Sequence, residues 1–123
     1  MMGKGEAYLL AGQAGISETA LRKFAHSRSP SLRMRIAENT NTPIDVLCML
    51  ANDDQTEVRL AAICNETAPD NLLNTVLNDA DPTARYELAA NACAKLWVLL
   101  ALAEDENPYV QWRARKTLKR LMN

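Results

Sequence analysis

The sequence predicts an all-α fold, a short solenoid of about four and a half 26-residue units with two helices in each. Three observations carry this. First, Leu32-Arg33-Met34-Arg35-Ile36-Ala37-Glu38-Asn39, followed by Thr42-Pro43, returns 26 residues later as Val58-Arg59-Leu60-Ala61-Ala62-Ile63-Cys64-Asn65 with Ala68-Pro69, and after a further 26 as Ala84-Arg85-Tyr86-Glu87-Leu88-Ala89-Ala90-Asn91. A fixed period of this size means that each unit buries its apolar face against its neighbours. Second, apolar residues inside each copy fall at helical spacing, as do Val46, Leu47, Leu50 and Ala51. Third, Ser29-Pro30, Asp81-Pro82 and Asn107-Pro108 set a capping residue before proline, a helix start where the missing N–H costs nothing.

Residues 4–27 read as a degenerate first unit. Leu10 and Ala11 precede Ile36 and Ala37 by one period, and Leu21, Phe24 and Ala25 precede Leu47, Leu50 and Ala51. Ala7 and Gln13 replace the Arg and Asn of later units, as expected of a capping repeat that turns one face to water. Ser17 or its neighbour caps the helix that runs through Glu18-Thr19-Ala20.

In the second unit, 28–53, a short helix runs to about Glu38 and ends at Asn39. Asn tolerates the left-handed backbone of many helix ends, which gives Asn39, Asn65 and Asn91 a common role. Thr42-Pro43 opens the second helix, with Asp45 complementing its dipole. The third unit, 54–79, repeats the pattern with Val58, Ala62, Leu72, Leu73, Val76 and Leu77. The fourth, 80–105, keeps it with Leu88, Ala89, Val98, Leu99, Leu102 and Ala103 but has Ala94-Lys95 where proline is due. Residues 106–123 supply a basic amphipathic cap helix, roughly 108–121.

The phrase V-R-x-x-x-A-x-N, then T-P, then L-x-x-L-A-x-D resembles the leucine-rich repeat variant group of α-solenoids, relatives in shape of HEAT and armadillo repeats. The resemblance covers residues 28–115 well and 4–27 weakly. It implies helix pairs stacked into a right-handed superhelix. Some members of that group hold an iron–sulfur centre in an N-terminal cysteine cluster; here no cysteine precedes Cys48, so no such cofactor is expected.

Length and composition agree with one domain: 123 residues, 48% hydrophobic, 24% charged. Aromatics are only 5%, so Leu, Ala, Val and Ile must build the core. The net charge of −1 exerts no global pull on nucleic acid or anionic lipid. Its distribution is uneven: residues 1–36 and 107–123 are basic, whereas 37–106 carry thirteen acids against Arg59, Arg85 and Lys95. Cys48, Cys64 and Cys93 form no CxxC pair and read as buried free thiols of a cytoplasmic protein. Met1-Met2-Gly3-Lys4-Gly5-Glu6 has no signal-segment character, and the longest apolar run, Leu96 to Ala103, is too short to span a bilayer.

Catalytic signatures are absent. His26, the single histidine, has no nucleophile or carboxylate at a credible spacing and is expected to be solvated. No HExxH, glycine-rich phosphate loop or metal-ligand spacing occurs. Glu104-Asp105-Glu106 and Asp53-Asp54 read as turn and cap residues. Arg33, Arg59 and Arg85 recur in step with Asp53, Asp79 and Asp105, which is expected to be structural Arg–carboxylate pairing between adjoining turns rather than an anion ladder.

Departures from the repeat carry the functional reading. On the second helix of a unit, four positions flank the core stripe: Glu18, Thr19, Arg22 and Lys23 in the first unit, Asp70, Asn71, Asn74 and Thr75 in the third. The second unit instead has Ile44, Asp45, Cys48 and Met49, and the fourth has Leu96, Trp97, Leu100 and Ala101. A helix apolar all round is buried all round. Leu96, Trp97 and Leu100, with Ile44 and Met49 as a second contact, therefore mark a surface for another protein or for self-association; a C-terminal segment folded back over them is the competing explanation. Met34, Leu60, Tyr86 and Trp112 form a ladder read as inter-helix core. The alternative function is nucleic-acid binding through Trp112, Arg113, Lys116, Lys119 and Arg120, against which stands the preference of any helix C-terminus for cations.

Overall fold

In the computed structural model, which describes residues 3–91 and 93–123, the described chain is helical and contains no strand: α1 (Lys4–Ala11), α2 (Glu18–Ala25), α3 (Pro30–Glu38), α4 (Ile44–Leu50), α5 (Thr56–Ile63), α6 (Asp70–Leu77), α7 (Pro82–Ala89), α8 (Leu96–Leu102) and α9 (Pro108–Met122). Eight of these have seven to nine residues, too short to persist alone in water, so packing must hold them. The chain divides into two compact units, 1–69 and 70–123.

Local chemistry sets the helix ends. Ser17 accepts the Ala20 N–H at 3.2 Å, Asp81 that of Thr83 at 2.9 Å, and Asn107 those of Tyr109 and Val110 at 2.9 and 3.3 Å. Ser29 occupies the expected cap position, but its hydroxyl pairs with Ser31 instead of a backbone N–H. Lys95 takes the place of proline before α8 with φ −61° and ψ 144°, close to the −58° and 149° of Pro43 before α4. An ordinary residue adopts the proline backbone here, which keeps the helix register.

In the first unit, α3 packs on α1, α2 and α5, and α4 on α2, α3 and α5. The core is Ala11, Ile16, Leu21, Ala25, Ile36, Ala37, Val46, Leu47, Leu50, Val58 and Ala62. In the second unit, α9 lies against α7 and α8, and α6 contacts both of those helices. Leu72, Leu73, Leu88, Val98, Leu99, Leu102, Val110, Ala114 and Leu118 are buried there.

The recurrent asparagines work differently from the expectation. Asn39 has φ −73°, and no described residue has a positive φ. What recurs is a side-chain fastening. Asn39 Nδ2 donates to the Ala11 and Gln13 carbonyls at 2.9 and 3.0 Å, and Asn65 Nδ2 to those of Ala37 and Asn39 at 2.8 and 3.0 Å. Their Oδ1 atoms accept the N–H two residues on, from Asn41 and Thr67. The side chain thus satisfies orphan carbonyls at the end of a helix two elements back, α1 for Asn39 and α3 for Asn65. Thr117 stands one period after Asn91, and its hydroxyl donates to the Ala89 carbonyl at 2.6 Å.

The Arg–Asp pairs are structural within each unit. Arg33 meets Asp53 bidentately at 2.8 and 3.1 Å and donates to the Ser27 carbonyl at 2.8 Å. Arg85 meets Asp105 at 2.8 and 3.3 Å and donates to the Asp79 carbonyl. The same six-residue reach takes Arg59 Nη1 to the Asp53 carbonyl, and Gln111 stands in for arginine on α9 with a 3.5 Å bond to the Asp105 carbonyl. Asp53, Asp79 and Asp105 each accept the N–H two residues on, shaping the turn into the next helix.

Candidate functional site

α8 is the most apolar helix, and its two faces have different fates. Val98, Leu99 and Leu102 are buried, while Leu96 is 59% exposed, Leu100 53% and Trp97 38%. The i, i+1, i+4 spacing puts these three on one side of the helix. α9 packs on α8 but leaves them open, so a folded-back C-terminal segment does not account for them. In the other unit, Ile44 and Met49 are likewise exposed on α4. Met49 borders a shallow groove with Arg22, His26 and Asp45. Arg22 bridges Asp45 at 2.8 Å and Glu18 at 2.9 Å, and hydrogen bonding to Asp45 and then Glu18 raises the Arg22 pKa. The same Arg22 contact holds the Asp45 carboxyl below the usual range. His26 is exposed at the end of α2, as expected.

The polar flanks of α2 and α6 are exposed as well. Only α4 and α8 present hydrocarbon there.

A second surface lies on α9. Val110, Ala114, Thr117 and Leu118 face inward. Tyr109, Trp112, Lys116, Lys119 and Arg120, at i, i+3, i+7, i+10 and i+11, form the exposed face, which is about 16 Å long, while Arg113 of the same basic set is half-buried with its Nε covered. The Lys116 ammonium lies 4.9 Å from the Trp112 ring centroid, a cation–π contact. Arg113, Lys116, Lys119 and Arg120 make no ion pair among the described residues. Arg115 differs, since it points to the Ala103 carbonyl at 3.1 Å and to Glu104 at 3.9 Å.

The aromatic ladder is core only in part. Met34 and Leu60 are half-buried, but Tyr86 is exposed and Trp112 is 56% exposed. Tyr86 joins Tyr109 in lining a groove of about 210 Å³ with Pro82, Thr83, Asn107 and Val110. Tyr109 is the residue that sequence reasoning missed. Its signal was available in its placement three residues before Trp112.

The buried-thiol expectation also fails. Cys93 is exposed in the turn after Asn91, where its N–H bonds Asn91 Oδ1, and Cys48 and Cys64 are only partly covered. Cys93 follows Asn91 in a turn, where the apolar periodicity does not apply. No cluster of three His, Cys, Asp or Glu side chains among the described residues is placed to hold a metal ion, and no described helix is long and apolar enough to cross a membrane.

Family models, curated proteins and solved structures yield no match to this chain.

Proposed function

We propose that the chain is a non-catalytic protein-interaction module, docking another protein or a second copy of itself on the outer face of α8. The observation that carries the reading is the exposure of Leu96, Trp97 and Leu100 on a helix whose other face is already core. Water contact with that much hydrocarbon is unfavourable, and Trp is the residue most enriched at interface anchors. Ile44 and Met49 supply the second contact. The repeated charged residues support a non-catalytic role, because Arg33, Arg85, Asp53 and Asp105 are consumed by internal pairing. In the same reading the scaffold is a short right-handed α-solenoid of the leucine-rich repeat variant, HEAT-like kind, working in the cytoplasm, where its free thiols stay reduced.

The test is light scattering on the wild type and Trp97→Asp at low and moderate salt, with circular dichroism to confirm the helices. A wild-type dimer that Trp97→Asp converts to a monomer supports self-association. A monomeric wild type that cross-links to a defined protein, with the link lost in Trp97→Asp, supports a separate partner. Unchanged mass and unchanged cross-linking in a folded Trp97→Asp protein overturn the reading.

A further inference from the structure

We infer that the α7–α9 face binds an unpaired nucleic-acid strand, stacking bases on Tyr109, Trp112 and Tyr86 and holding phosphates on Lys116, Lys119 and Arg120. This surface is distinct from the apolar face of α8. Two chemistries that single strands require meet on it. The first is a set of exposed aromatic rings: Tyr109 is 74% exposed, Trp112 56% and Tyr86 38%. Rings left open to water offer flat apolar faces on which any base stacks. The second is charge. Residues 107–123 contain five Lys/Arg and no acid, and only Arg115 among the five is engaged with a carboxylate.

The order along the helix also matters. Tyr109 and Trp112 occupy the first turns of α9, with Tyr86 beside Tyr109 on α7, and the cations follow on the later turns, so a strand lying along the stripe meets rings at one end and ammonium and guanidinium groups at the other. A stripe of about 16 Å is the length of a few stacked nucleotides, near the lower end of site sizes for stacking-platform proteins. Lys116 lies over one face of Trp112, so a base stacks on the other face or displaces the ammonium towards its phosphate. Charge complementarity selects a polyanion, and the rings select one with flat unpaired bases over a duplex, whose bases are stacked internally. Stacking and phosphate contact read neither sequence nor the ribose 2′-hydroxyl, so DNA and RNA strands bind alike.

The experiment is fluorescence anisotropy with labelled twelve-nucleotide oligo-dT and oligo-U, a duplex of the same length, and poly-glutamate as competitor, on the full chain. Expected are similar affinities for both single strands and weaker binding to the duplex. The log–log salt slope should be about −2, as roughly three phosphate contacts on a single strand give. Trp112→Ala should weaken binding about tenfold, and reversing Lys116, Lys119 and Arg120 to Glu should abolish it. In a Trp97→Phe background the remaining tryptophan reports directly, and oligo-dT should quench it. Trp97→Asp should leave the affinity unchanged, which separates this surface from that of α8. Absence of binding at low salt, equal affinity for the duplex, equal displacement by poly-glutamate, or a folded Trp112→Ala protein that binds as well as wild type would each overturn the inference.

Discussion

Thr117 reaches back 28 residues to the Ala89 carbonyl, the same reach by which Asn39 takes Ala11 and Asn65 takes Ala37. Within each compact unit, a side chain thus closes a helix end 28 residues earlier. The threonine serves where α9 runs on as a helix, because its hydroxyl also bonds the Arg113 carbonyl four residues earlier. Asparagine serves where the helix stops and a turn N–H must be satisfied too.

Asn65→Ala removes two bonds to carbonyls and two accepted from the Thr67 N–H and hydroxyl, at a buried position. Leaving buried polar groups unsatisfied should cost about 2 kcal/mol, and Thr117→Val, which keeps the shape, about 1 kcal/mol. Urea unfolding of the two variants checks both values, with Asn65→Ala expected to be the less stable.

Arg85 and Asp105 are 7% and 9% exposed and paired bidentately. Removing one partner strands the other, so Arg85→Met or Asp105→Asn alone should destabilise by about 3 kcal/mol. The double variant should lose less than the sum of the two, and a double-mutant cycle in denaturant measures the coupling. Arg85→Lys should also be costly, since an ammonium cannot reproduce the fork that meets both oxygens and the Asp79 carbonyl.

Asp53 is ionised more readily than a free carboxyl. Burial opposes its charge, but the Arg33 guanidinium and the Gln55 N–H outweigh that cost and lower the pKa. A depressed folded pKa stabilises the protein above the unfolded value of about 4 and withdraws that support as pH falls through the folded value. Unfolding midpoints of wild type should therefore drop as pH falls below about 4, and Asp53→Asn should show a shallower drop. Asp45 and Asp81 shift in the same direction from exposed positions, so moderate salt should mute the Asp45–Arg22 contribution and spare that of Asp53.

Cys93 is exposed, while Cys48 and Cys64 are partly covered. A thiol reagent should label one cysteine rapidly in the native protein and the other two more slowly. Mass spectrometry of the fast product is expected to find the label on Cys93.

Several helices were legible because their starts carry their own chemistry: a cap at Ser17, Asp81 and Asn107, and proline or a proline-like backbone before α4 and α8. The Arg–Asp pairing was legible too, since strict periodicity argues for internal contacts. The role of asparagine was not, because its partners are carbonyls 26 and 28 residues away and no local pattern points to them. The ladder was misjudged at its later rungs for a related reason. Periodicity says that Met34, Leu60, Tyr86 and Trp112 share a position but not how much of it a neighbour covers, and the larger rings outgrow the cover that Met34 receives. On α8 the exposure of Leu96, Trp97 and Leu100 follows from the helical period alone, which sets them opposite the buried Val98, Leu99 and Leu102.

The 28-residue fastenings also bear on how quickly the chain finds its structure. Within each compact unit the helices that pack together are near neighbours in sequence, and the farthest side-chain ties reach just over one repeat. Loop closure over such distances is entropically inexpensive, and mostly local contacts are the hallmark of domains that fold in microseconds to milliseconds. A nascent chain needs only the preceding helix pair in hand before the next asparagine can engage, so folding can keep pace with synthesis, one helix pair at a time.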